Sequence, residues 1–158
     1  MRELEIDYMK NPTTFLLVDD DLDDTSLFEE VLQQVDPAVV FASASNGHEA
    51  LAALREGITR PDVIFLDLNM PRMDGRQCLA ALKEDDTLKQ IPVIMYTTSS
   101  QPKDVEQAMQ KGAVSFITKP TSLKELQEIL EAIAGNVHLD LHTALKTLRQ
   151  TVPACVIC

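Results

Sequence analysis

The chain has 158 residues, with 25 Asp and Glu against 14 Lys and Arg and a formal net charge of −11. Lys and Arg supply most non-specific nucleic-acid affinity by neutralising phosphates, so this acidity, without a basic stripe, excludes a free-standing nucleic-acid binder. No apolar run approaches the ~20 residues of a membrane span, the N-terminus lacks the cationic and apolar regions of a signal peptide, and the expected location is the cytoplasm.

Short β-rich runs alternate with helical periodicity five times, which predicts an α/β protein with a parallel sheet and crossover helices. The first run, Phe15-Leu16-Leu17-Val18, is wholly apolar, as in a strand covered on both faces. A helix over about 23–35 follows, with Leu27, Phe28, Val31, Leu32 and Val35 on one stripe. Val39 to Ala42 is the second strand. Asn46-Gly47 turns into a helix over 48–56, closed by Gly57. The third strand spans 62–68 and ends in the loop Asn69 to Gly75, and the next helix carries Cys78, Leu79 and Leu82 inward. Pro92 to Thr97 is the fourth strand, entered through a proline that a first position tolerates. A helix over 102–111 stops at Gly112. The fifth strand is Val114 to Thr118, and the last helix begins at Ser122, with Glu125 at the capping-box spacing.

Residues 1–12 and 135–158 lie outside this (βα)5 pattern. In the tail Val137, Leu141, Leu145, Leu148 and Val152 recur at spacings of three and four, which predicts a further amphipathic helix. Its apolar stripe packs either on its own domain or in a homodimer. His138 and His142, four apart, read as a solvated polar face because no third metal ligand is near. Cys78 reads as a small buried hydrophobe, and the terminal pair Cys155 and Cys158 lacks the second pair or following helix of a zinc or redox motif.

The chemistry collects where open α/β sheets place their ligands, at the carboxyl ends of the strands. Strand one ends in Asp19-Asp20-Asp21, strand three in Asp67, strand four in Thr97-Thr98, and strand five in Lys119. If strands one and three are neighbours, Asp19, Asp20 and Asp67 crowd together, and like charges at that range raise one another's pKa unless a cation intervenes. An open set of carboxylates, a backbone carbonyl and water suits Mg2+. With the Lys119 ammonium and the Thr97 hydroxyl, the set is equipped to hold a phosphoryl group, one carboxylate acting as nucleophile. A single Asp at such a place more often caps the following helix, as Asp21 or Asp23 would; four strand ends together are not explained that way.

The blocks Leu16-Leu17-Val18-Asp19-Asp20, Asp62 to Pro71 with Asp74-Gly75, Pro92 to Thr97, and Lys119-Pro120 resemble, in residues and spacing, the receiver domain of two-component response regulators. The resemblance covers residues 13–134, leaving an N-terminal extension of 1–12 and a C-terminal tail of 135–158. It implies a doubly wound, flavodoxin-like sheet with strand order 2-1-3-4-5. It further implies Asp67 as phosphoacceptor; Mg2+ held by Asp19, Asp20, Asp67 and the backbone carbonyl of Asn69; and Lys119 paired with the phosphoryl group. Thr97 and Phe116 would be the switch pair. Phenylalanine replaces the frequent tyrosine there, the Lys119–Pro120 bond would be cis, and Thr98 stands where a smaller residue is usual. Asn69 and Ser99 occupy positions that tune phosphate hydrolysis.

The function expected is a single-domain response regulator of a phosphorelay. It would take its phosphoryl group from a sensor histidine kinase or phosphotransfer protein and signal through protein contacts, being no enzyme beyond its own phosphorylation and dephosphorylation. The 24 residues after 134 are too few for an effector domain. Two alternatives compete with it. One is a constitutive dimerisation or scaffold module with a vestigial pocket. The other is a Mg2+-dependent phosphohydrolase, which would need a cap insertion and a second Asp at position 69, where the chain has Asn.

Overall fold

Three wholly apolar runs form the middle of a five-stranded parallel sheet, because only strands covered by helices on both faces can bury side chains on alternate sides. The computed structural model describes residues 12–157. Its strands are β1 (Thr14–Val18), β2 (Val40–Ala44), β3 (Val63–Leu66), β4 (Val93–Thr97) and β5 (Ser115–Thr118), in the expected order β2-β1-β3-β4-β5. The helices are α1 (Leu22–Val35), α2 (Gly47–Arg55), α3 (Gly75–Glu84), α4 (Pro102–Gln110), α5 (Leu123–Asn136) and α6 (Leu141–Thr151). Strand ends and the ends of α1 to α5 differ from the sequence reading by no more than two residues, whereas the tail helix starts at Leu141 rather than at Val137, the first residue of its apolar stripe. In β2 the strand starts at Val40 because the Val39 N–H closes a turn onto the Asp36 carbonyl.

Caps account for most helix starts. Asp21, Asn46, Asp74, Ser122 and Asp140 each accept backbone N–H bonds from the first turn that follows, satisfying donors with no intrahelical partner. Gly57 and Gly112 follow helix C-termini with φ of 73° and 103°, in the left-handed region that glycine enters without penalty.

The core has two layers. On one face of the sheet α1, α5 and α6 cover Phe15, Phe65, Tyr96 and Ile117, with Phe28 edge-on to Phe65 at 5.0 Å and to Tyr96 at 5.5 Å. On the other face α2, α3 and α4 cover Leu16, Val18, Ile64, Leu66, Met95 and Phe116.

The tail joins the first layer. Of the two fates open to its apolar stripe, the structure shows packing on its own domain: Leu145, Leu148 and Val152 are buried with Ile129 and Ile133 of α5. The helix begins at Leu141, behind its Asp140 cap, so His138 lies in the preceding turn rather than on one face with His142. There it meets Thr13 Oγ1 at 3.0 Å and Asp62 at 3.7 Å. Beyond α6 the chain returns to the sheet. Thr118 N–H donates to the Cys155 carbonyl at 2.8 Å, Ile157 N–H donates to the Phe116 carbonyl at 2.9 Å, and Val156 bridges Ile117 in antiparallel sense. The tail therefore closes the free edge of β5, an edge that would otherwise expose a row of unpaired donors and acceptors.

Cys78 is buried and desolvation pushes its thiol up to about 11, which fits a core residue. Cys155 is buried beneath α5. Cys158 and residues 1–11 of the expected N-terminal extension lie outside the described residues. Among the described residues no helix is long and apolar enough to cross a membrane, and no peptide bond is cis. The Lys119–Pro120 bond expected to be cis is thus trans, the lower-energy isomer even before proline.

Candidate phosphoryl site at the carboxyl edge of the sheet

Register brings the acidic residues together. Val18 of β1 pairs with Leu66 of β3 in a parallel ladder, so the next residues, Asp19 and Asp67, leave the sheet side by side, about 4.8 Å apart in backbone spacing. The ladder continues past the strand ends, with Asp67 N–H donating to the Val18 carbonyl and Asp19 N–H to the Ala44 carbonyl, both at 3.0 Å. One carboxylate oxygen from each of Asp19, Asp20 and Asp67 lies within 4.8 Å of the others. Asp19 and Asp67 are buried at 2 % and 6 % exposure, whereas Asp20 faces solvent.

Burial of this kind opposes ionisation. Desolvation pushes the Asp19 carboxyl up to about 6, helped by the charge of Asp67 and opposed by Lys119 and the Asp21 N–H. Asp19 Oδ1 accepts that N–H at 2.9 Å. Asp19 Oδ2 is buried with no hydrogen-bond donor: Lys119 Nζ is 2.7 Å away and forms an ion pair, but not in hydrogen-bond geometry. A buried carboxylate oxygen lacking a donor, facing two further carboxylates, is a position that a hard divalent cation satisfies. The residues present fit such an ion.

Lys119 arrives from β5, its backbone N–H tied to the Thr97 carbonyl at 2.7 Å. Its ammonium stands 3.6 Å from Asp67 Oδ2 and 5.9 Å from the centre of the Tyr96 ring. Burial disfavours its charge, but contacts with Asp19 and Asp24 and the charge of Asp67 outweigh that and raise its pKa, so it is a permanent cation. Thr97 is fully buried at the end of β4, two residues past the Met95 that pairs with Leu66. Its Oγ1 accepts the Ser99 N–H at 3.4 Å. Phe116 is fully buried, its ring within the second core layer. Asn69 N–H donates to Asp67 Oδ1 at 3.4 Å, which sets that backbone at the rim of the site.

Other polar residues nearby are turned to structural tasks. Asp21 caps α1 through the N–H groups of Asp23 and Asp24, as one sequence reading of it anticipates. The Ser99 hydroxyl donates to Asp104 Oδ2 at 2.6 Å, and Arg76 pairs with the same carboxylate, so Ser99 is anchored to α4 and α3. Thr98 is exposed.

Two residues at the site were missed in the sequence. Tyr96 lies under Lys119, and Asp24 hydrogen-bonds it at 2.7 Å. Asp24 left a trace: it precedes Phe28 by four and Val31 by seven, which sets a carboxylate on the inward stripe of α1.

The loop carrying Asp67 is held by Gly75, whose N–H donates to the Leu68 carbonyl at 2.8 Å. A Cβ here would meet the Asp67 carbonyl oxygen at 2.2 Å and Leu68 Cα at 2.7 Å, backbone atoms that cannot rotate away. Gly75→Ala is expected to cost about 3 kcal/mol, checked by chemical denaturation, and to displace Asp67 from its neighbours.

Comparison with known proteins identifies relatives of the whole domain. A family model described as the response regulator receiver domain matches residues 15–131. Response regulator Rcp1 of Synechocystis sp. is 36% identical over 129 residues, 77% of this chain and 86% of that protein. The polar-differentiation response regulator DivK of Brucella anthropi is 31% identical, over 79% of this chain and 98% of its own. Among solved structures, the Mn2+-bound form of Rcp1 superposes with a TM-score of 0.72 at 34% identity, covering 82% of this chain and 96% of that one. The phosphorylated cyanobacterial phytochrome response regulator RcpA gives 0.72 at 35% identity, covering 78% and 91%. With five parallel strands in the order 2-1-3-4-5 and this acidic edge, the chain belongs to the response regulator receiver domain family.

Proposed function

We propose that the protein is a single-domain response regulator of a phosphorelay, in which Asp67 accepts a phosphoryl group from a phosphohistidine of a sensor histidine kinase or phosphotransfer protein. The observation that carries this reading is the convergence of Asp19, Asp20 and Asp67 within 4.8 Å beside a lysine 3.6 Å from Asp67. Asp19, Asp20, Asp67 and the Asn69 backbone carbonyl would hold a divalent cation, by preference Mg2+. Bound there, the cation offsets the clustered negative charge that an anionic phosphoryl group would otherwise meet. The relatives support both parts, since one of the solved structures is described as Mn2+-bound and another as phosphorylated.

In the transfer, a carboxylate oxygen of Asp67 attacks phosphorus in line with the donor imidazole. The new P–O bond forms as the P–N bond breaks, the imidazole leaves with the bonding pair, and Asp67 becomes an acyl phosphate. Lys119 supplies N–H donors to the transferred oxygens, and the Thr97 hydroxyl donates a hydrogen bond when drawn towards them. That movement, together with the packing of Phe116, biases a two-state surface at β4, β5 and the adjoining loops. Leu27 and Leu123, both exposed hydrophobics, flank Lys119 at the mouth of the crevice and suit the docking of a partner helix.

Adding beryllofluoride with Mg2+ is expected to shift the amide NMR resonances of Thr97, Phe116 and their neighbours, and to leave small phosphomonoesters unhydrolysed. Steady turnover of such esters would assign the site to a phosphohydrolase, and an unaltered spectrum would leave the scaffold reading in its place.

A further inference from the structure

Lys119 has a carboxylate partner outside the acidic trio. Its Nζ donates to Asp24 Oδ2 at 2.7 Å in full hydrogen-bond geometry, whereas it stands 3.6 Å from Asp67. Asp24 is the third residue of α1, on the stripe that carries Phe28, Val31 and Leu32 into the core. Helix phase therefore aims its side chain at the crevice, while Asp23 beside it faces solvent. The Lys119 side chain is 10 % exposed and that of Asp24 36 %, so the pair spans the crevice from its wall to its rim.

A lysine that grips a phosphoryl group must direct N–H donors at it, and an ammonium has three. One is committed to Asp24. Asp19, Asp20 and Asp67 would hold a cation, whose charge would relieve Lys119 of neutralising Asp19 Oδ2, now 2.7 Å from its Nζ. Asp24 is not part of that trio, so a cation held there would not compete with Lys119 for it. Its charge also opposes the arrival of a phosphoryl anion.

We infer that Asp24 is a positioning residue that tethers Lys119 away from Asp67 and must yield it to the phosphoryl oxygens, so that it weakens retention of the phosphoryl group. The inference rests on the phosphoacceptor reading of Asp67 and adds a brake to it. An alternative role for Asp24 is to complement the N-terminal dipole of α1; Asp23, one residue earlier in the same turn, would serve that equally and makes the control.

The test is an NMR titration of wild type, Asp24→Asn, Asp23→Asn and Asp24→Glu with beryllofluoride and Mg2+, beside the 15N resonance of the Lys119 ammonium in metal-free protein. Asp24→Asn is expected to bind the analogue about tenfold more tightly, the value of one freed charge-assisted hydrogen bond, and to shift the ammonium resonance. Asp23→Asn should do neither, and Asp24→Glu should return both readouts towards wild type. Unchanged or weaker binding in Asp24→Asn, or an equal gain in Asp23→Asn, overturns the tether while the phosphoacceptor reading stands. A wild type that ignores the analogue overturns both, and the ammonium resonance then shows whether the Asp24–Lys119 contact forms at all.

Discussion

Asp67→Asn is expected to abolish phosphoryl acceptance and the response to beryllofluoride while leaving the fold intact. The amide keeps an oxygen for the Asn69 N–H that now bonds Asp67 Oδ1 at 3.4 Å, so the loop stays in place. It has no carboxylate oxygen to attack phosphorus, and it removes one of three converging ligand atoms. The same substitution has an opposite effect on stability without metal. The charge of Asp67 helps, behind desolvation, to push the Asp19 carboxyl up to about 6. Removing that repulsion is expected to stabilise the metal-free protein by about 1 kcal/mol, a small part of the unscreened interaction of two charges a few ångströms apart. Denaturant unfolding checks this: wild type should gain more stability from Mg2+ than Asp67→Asn does, because ligand binding stabilises only in proportion to its affinity for the folded state. A variant that loses activity by unfolding would show a lower midpoint instead of a higher one.

The second large effect lies in the tail. Leu148 is buried at 3 % exposure in the layer shared by α1, α5 and α6, so Leu148→Ala is expected to cost about 3 kcal/mol. Thr147→Ala, at an exposed position on the same helix, should change stability by no more than about 0.5 kcal/mol. Deleting residues 141–158 removes Leu145, Leu148, Val152 and Val156 together, at about 2 kcal/mol each for lost burial, and unpairs the edge of β5. That total rivals the whole stability of an ordinary domain, so the shortened chain should not unfold cooperatively at room temperature. A shortened chain with the wild-type midpoint would show that the tail is dispensable.

These predictions follow from features of unequal legibility. The strands could be read because Leu16 to Val18, Val63 to Leu66 and Val93 to Met95 are apolar on both faces, which few other local structures permit. Ser122 marked a helix start, and Asp21 was one of two candidates for another, since a side-chain oxygen at such places satisfies otherwise unpaired N–H groups. The acidic edge was legible once those strands were laid side by side. Lys119 and Thr97 were legible with it, as the residues that end strands five and four; Phe116 and the switch role of Thr97 came from resemblance, because an apolar ring inside a strand carries no polar signal.

Two features escaped for physical reasons. Residues 155–157 are too few to show a period, and their pairing with β5 spans nearly 40 residues of chain, a contact that only the finished sheet edge specifies. Asp24 sits in a run where five of six residues from 19 to 24 are aspartate, and composition alone cannot say which one points inward. Helix phase decides it, and that phase depends on the helix starting at Leu22 behind the Asp21 cap. The histidine spacing misled for a related reason: the cap at Asp140 begins α6 after His138, so the two rings never share a helix face.

The most direct test of the account is to treat the protein with acetyl phosphate and Mg2+, reduce the product with borohydride to mark acyl phosphates, and map the marked residue by mass spectrometry. A mark on Asp67 is expected, dependent on the divalent ion and absent from Asp67→Asn. A mark on another residue, or none under conditions where the protein is folded and Mg2+ is present, would contradict it.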